Sequence, residues 1–291
     1  MAKRVGRSLA WLLILLAGAA AIFPLLFVLS NSFMSAEEVV NRYTTDVLPT
    51  NRGDLVSHGI HFVRFGLLPD APSLEQYALL EGSPQYLRMF WNSVLIAVPV
   101  LLGQMILAPL TAYGFESLRG RWKEAVYFLY IVIMLMPTQL LLVPNFIVAG
   151  WFGIEHSYLA IILPAMFHPL GVFLIRQQLK SFPRECLEAA ALDGAGAFQT
   201  YRLVVRPNLR SVVAAMLVLL FADNWNIVDQ AVVFLEQGFE NPLSVYLGTV
   251  AVGDPGVFYA ASIFYLLPAL LVFLLGQDYL TEGIALSSLK A

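Results

Sequence analysis

Residues Glu188–Pro207 read EAAALDGAGAFQTYRLVVRP, a polar island between two apolar runs, Tyr158–Ile175 and Ser211–Phe234. Pro183 just before it suits a first helical turn, and Glu185 and Glu188 suit the positive end of a helix dipole. The alanine run has high helix propensity and no bulk, so another surface can come close. Gly194 offers a position where positive φ is cheap and a helix can turn. A second short helix is expected to carry Phe198, Tyr201, Leu203 and Val204, with Pro207 ending it. Read alone, the stretch also fits an ordinary surface helix stopped by glycine. Its flanks favour a loop built to dock under a partner.

Those flanks belong to a chain of 291 residues that is 59 % hydrophobic and 13 % charged. Soluble domains run at roughly 45–50 % and about 25 %. So much apolar surface calls for the bilayer as solvent, and the chain reads as an integral membrane protein. A net charge of −3 gives no ground for a nucleic-acid partner. Cys186 is the sole cysteine, which excludes an internal disulfide.

Six apolar segments can be drawn: Ser8–Leu29, Phe90–Tyr113, Ala125–Ala149, Tyr158–Ile175, Ser211–Phe234 and Val257–Gly276. Each must be helical, because backbone amides in hydrocarbon find no water. The first reaches ~33 Å at about 1.5 Å per residue, enough to cross roughly 30 Å. It is longer than a signal-peptide core, so an uncleaved anchor is expected over residues 1–30. An extracytoplasmic loop follows over 31–89, either a small cap or an ordered loop. A five-helix core spans 90–280, includes the loop 177–210, and ends in a tail over 281–291.

Basic residues orient the spans. Thirteen of the seventeen Lys and Arg fall at the N-terminus, in Glu116–Glu124, in Arg176–Arg210 or in the tail, all on one face if there are six spans. Arg and Lys collect on the cytoplasmic side, so both termini and the Glu188 loop are expected there.

At this point the sequence resembles the permease subunits of binding-protein-dependent ABC importers. Their pattern is Glu-Ala-Ala, three residues, Gly, nine residues, Ile, any residue, Leu-Pro. Here Glu188, Ala189, Ala190, Gly194, Val204 and Pro207 fall at those spacings, with Val204 for isoleucine and Arg206 for leucine. FWNSVLIAV in the second span, TAYGFESLRGRWK after it and DNWNIVDQ in the fifth look like the maltose-type, carbohydrate branch. The resemblance implies an all-α permease of the type I importer fold. Its loop would be a coupling helix seated in a cytosolic ATPase, with Glu188 as polar contact, Ala189 and Ala190 allowing close approach, Gly194 at the bend, and Asp193, Val204 and Pro207 among the coupling residues. The implied partners are a second, different permease, two ATPase subunits that bind ATP and magnesium, and an extracytoplasmic solute-binding protein. The chain itself would hold no cofactor and no metal.

Polar groups inside spans are candidates for function. The fifth span holds Asp223, Asn224, Trp225, Asn226, Asp229 and Gln230. In a continuous helix Asp223, Asn226 and Gln230 would share one face. Carboxylate and amide groups beside an aromatic ring suit a polyhydroxyl ligand; interhelical hydrogen bonding is the alternative. For His168, beside Pro169, the expected role is a satisfied hydrogen bond at a kink, and for Asn92 a cap at a span start.

Two rival classes remain. An intramembrane enzyme would need a nucleophile with its base or a metal cluster, yet no GxSxG, HExxH or paired CxxC occurs; His58 and His61 form an isolated HxxH. An ion-driven secondary transporter would leave the Glu188 loop without a role. No GxxxxGK[ST] is present, so the expected drive comes from another chain.

Overall fold

The computed structural model describes residues 2–43, 66, 68–118, 120–253 and 255–288. His58, His61, Arg52, Arg64 and Lys290 lie outside them. Among the described residues the chain is helical, with no strand. In order the helices are α1 Ala2–Asn31, α2 Ala36–Tyr43, α3 Glu75–Glu81, α4 Pro84–Ser117, α5 Trp122–Met134, α6 Thr138–Phe152, α7 Tyr158–Met166 and α8 Pro169–Lys180. They continue as α9 Arg184–Leu192, α10 Ala197–Thr200, α11 Arg206–Asn208, α12 Arg210–Trp225, α13 Asp229–Phe234, α14 Leu243–Gly253 and α15 Pro255–Ser288.

Among the described residues four stretches are long and apolar enough to cross a membrane: Ala10–Asn31, Pro84–Ser117, Tyr158–Lys180 and Gly256–Leu280. Two further pairs qualify only together, α5 with α6, bent by 107°, and Ala197–Asn208 with α12, bent by 72°. The third expected span is therefore not one straight helix. Pro137 stands where α6 begins and pushes Met136 out of helical geometry, so the chain turns at Leu135–Pro137.

The chain divides into two compact units. In the first, residues 1–87 with 246–267, the polar segment after α1 folds on itself. Arg42 joins Glu38 at 2.7 Å and Asp70 at 2.8 Å, and Tyr77 donates to Ser32 Oγ at 2.6 Å. Met34, Val39 and Leu80 are buried beneath these bonds.

The second unit, residues 88–245 with 268–291, carries two apolar cores. One gathers Ile96, Val100, Ile161, Ile227 and Phe234. The other gathers Ala108, Val172, Ile175, Val205, Met216 and Leu220. Gly171 lies where three helices meet: a Cβ there would come within 2.8 Å of Met216 Sδ and 3.2 Å of Ala108 Cβ. Only a residue without a side chain lets α8 approach so closely.

Among the described residues one charge is fully enclosed. Arg176, on α8, is 1 % exposed. Its Nε donates to Glu116 at 2.9 Å and its Nη2 to Glu124 at 2.7 Å. The guanidinium carbon sits 3.7 Å from the Tyr127 ring centroid. One guanidinium thus ties the end of α4 and the start of α5 to α8.

Candidate functional site

Two regions of the second unit hold the candidate residues. The first is a cavity of about 800 Å³ lined from α5, α6, α7, α8, α12 and α13. Three helix interruptions border it, at Leu135–Pro137, at Phe167–His168 and at Asn226–Val228. Interrupted backbone inside a bundle persists only if its freed groups find partners. Gln104, fully buried, donates to Ala165 O at 2.8 Å, and Tyr130 OH donates to Phe167 O at 3.1 Å. Ser244 Oγ donates to Ile227 O.

The interruption at Asn226–Val228 corrects the expectation of one helical face for Asp223, Asn226 and Gln230. Asp223 lies in the last turn of α12 and Gln230 in the first turn of α13, and they meet in the cavity wall from two helices. Asp223 and Asn226 are exposed to the cavity. Asn224 is buried, donating to Leu220 O at 2.6 Å and lying 3.5 Å from Gln104 Oε1, so its side chain serves the interior. Trp225 does not line the cavity; its ring stacks on Phe221 and meets Phe90 edge-on.

Two further expectations change. His168 lines the cavity at the start of α8, and its Nδ1 is buried without a hydrogen-bond partner among the described residues, so the kink bond expected of it is absent. Asn92 is no cap, since α4 begins at Pro84; its Nδ2 donates to Phe239 O and Asn241 O. The sequence reading passed over Asn145, which also faces the cavity, and the bond of 2.7 Å from Gln139 Nε2 to Asp229 Oδ2. A polar residue following a proline within an apolar run, as Asn145 follows Pro144, is the signal that could have found it.

The second region is Arg184–Pro207. Helix α9 ends in a double bond pattern: Ala195 N–H donates to Ala190 O at 2.9 Å and Gly194 N–H to Ala191 O at 3.1 Å. This closure requires a left-handed residue, and Gly194 supplies it with φ of 77°. Asp193 is the last residue before that bend. Ala190 is buried and Leu187 packs on the second core, whereas Glu188, Ala189 and Leu192 face outward. Leu192, Phe198 and Leu203 are 89 %, 69 % and 70 % exposed. After α10 the chain widens into a π turn at Tyr201–Val205. Pro207 lacks the amide a regular turn would use, and Asn208 Nδ2 takes up Val204 O at 2.7 Å. Arg206 is exposed; Val205 and Leu209, each 1 % exposed, seat this turn instead. Tyr113 OH donates to Ala197 O, which fastens the loop to α4.

Residues 104–285 match the family described as binding-protein-dependent transport system inner membrane component. The chain belongs to that family. This inner-membrane component is 31 % identical over 205 residues to the lactose transport system permease protein LacG of Rhizobium radiobacter, covering 69 % of this chain and 75 % of LacG. It is 24 % identical over 226 residues to the arabinooligosaccharides transport system permease protein AraQ of Bacillus subtilis, covering 76 % and 80 %. Its fold is that of a chain in the crystal structure of a bacterial ABC transporter importing the acidic polysaccharide alginate. The TM-score is 0.77 at 20 % identity, over 96 % of this chain and 98 % of that one. The matched span takes in both the cavity and the Glu188 loop.

Proposed function

We propose that this inner-membrane component is the permease half of an ATP-driven ABC importer that moves a sugar or oligosaccharide into the cell. It crosses the membrane six times with both ends in the cytoplasm. It pairs with a second, different permease, receives solute from an extracytoplasmic binding protein and is driven by two cytosolic ATPase subunits.

The observation that carries this reading is the stiff α9, closed by Gly194 and anchored inward through Leu187 and Ala190, with Glu188, Ala189 and Leu192 turned outward. A rigid element passes a rigid-body movement on, where a floppy loop would absorb it. Val204 and Pro207 hold the return to α12, so the loop moves with the bundle. Solute is taken by the cavity through Asp223, Asn226 and Gln230, with Asn224 and Trp225 behind them fixing the end of α12. The carbohydrate class is supported by the names of LacG and AraQ.

Reconstitution with its ATPase, second permease and binding protein tests the proposal. ATP turnover should rise when the binding protein is loaded with saccharide, and the ATPase should copurify with this chain. Solute uptake driven by an ion gradient with no ATPase present would establish a secondary transporter instead.

A further inference from the structure

The cavity has an uneven charge. Among the described residues, Asp223 and Asp229 are the only carboxylates in its wall, both are exposed to it, and no lysine or arginine lines it. Asp229 shares one oxygen with Gln139, an amide that leaves its charge uncompensated. Asp223 makes no hydrogen bond or ion pair with any described residue. Among the described residues His168 is the only other titratable side chain in the lining. The remaining polar groups, Thr138, Gln139, Asn145, Asn224, Asn226 and Gln230, are neutral. The same unit does enclose a cation, Arg176, but it is held by Glu116 and Glu124 and is absent from the cavity wall.

From this arrangement we infer that Asp223 and Asp229 make the cavity a filter against anionic solutes, so that its cargo is an uncharged saccharide rather than a sugar acid or sugar phosphate. A cleft of one sign with low-dielectric walls concentrates its counter-ion and thins out its co-ion. An uncharged polyol meets no such barrier and finds carboxylate oxygens that accept its hydroxyl protons strongly. The inference rests on the carbohydrate reading for the word saccharide, and on the wall alone for the sign of the filter. It also separates this chain from an alginate-importing system of the same fold, whose cargo is acidic.

The sign can be measured without knowing the cargo. Thr138→Cys places a reporter thiol in the wall, and Cys186→Ser removes the native one. In the assembled complex, the reporter's rate with a trimethylammonium-bearing methanethiosulfonate is divided by its rate with the sulfonate-bearing reagent. Normalised to the same ratio on a free thiol, it should favour the cation by roughly tenfold, the low end for such fields. Asp223→Asn with Asp229→Asn should bring the ratio close to that of the free thiol. Should the double variant fail to assemble, high salt must compress the ratio in the otherwise unaltered reporter chain. A normalised ratio near one at low salt, or a preference for the sulfonate, overturns the filter. Sugar import alongside such a ratio would leave the proposed function standing, whereas a clear cation preference without saccharide-stimulated ATP turnover would remove that function and keep the filter.

Discussion

Helix α8 touches two opposite treatments of charge. Near its C-terminal end Arg176 is stripped of water, held by two carboxylates and pressed on an aromatic ring. At its start, His168 borders an open cavity whose carboxylates have no lysine or arginine beside them among the described lining residues. An enclosed, paired charge resists rearrangement, because separating it from its partners leaves an unpaired ion in a poor solvent. A carboxylate facing a cavity loses little when its neighbours change. The contrast teaches which end of the unit is built to stay together and which is built to exchange partners.

Four substitutions press on that contrast. The largest effect is expected from Arg176→Met, which removes the shared cation of α4, α5 and α8. Glu116 and Glu124 reach solvent, so the loss is smaller than for a fully buried pair, about 2–3 kcal/mol. Thermal unfolding in detergent should show it, with Arg176→Lys in between; an unchanged midpoint would mean that the clamp holds nothing. Next, Glu188→Lys should cut transport by roughly tenfold or more, equal to about 1.4 kcal/mol of lost coupling, while the unfolding midpoint stays in place. Normal uptake in vesicles would remove Glu188 from the drive. Gly194→Ala forces a side chain into φ of 77° with open space around it, so strain alone acts, about 1 kcal/mol. That variant should keep its fold and blunt coupling; full coupling would show that the bend is not needed. The smallest effect belongs to Asp223→Ala, roughly fivefold on solute affinity or rate, the worth of one hydrogen bond, with complex assembly intact. Unchanged affinity and rate would take Asp223 out of the site.

The same contrast explains what the sequence makes legible. The Glu188–Pro207 loop is largely readable because its determinants are neighbours: Gly194 bonds three residues back, and Pro207 shapes the turn just before it. The cavity is not. Gln139 and Asp229 lie 90 residues apart and Gln104 and Asn224 lie 120 apart, and no local pattern announces either meeting. Asp223 and Gln230 read as one helical face because nothing nearby, neither Pro nor Gly, marks Asn226–Val228 as a break. Ser244, from farther along the chain, takes up the carbonyl that the break frees. Arg176 read as one more basic residue of a cytoplasmic loop, since burial depends on Glu116 and Glu124 arriving from other helices.

The helix interruptions also carry a consequence for how this chain is made. Gln104 and Tyr130 emerge from the ribosome before the carbonyls of Ala165 and Phe167 that they serve, so those breaks find their donors already waiting. Ile227 is in the opposite position, because Ser244 lies 17 residues downstream. At about 5–20 residues per second, that carbonyl waits roughly one to three seconds for its donor to be synthesised. During that interval the newborn α12 should linger beside the insertion machinery, and a stalled chain ending short of Ser244 should be the one quality control removes.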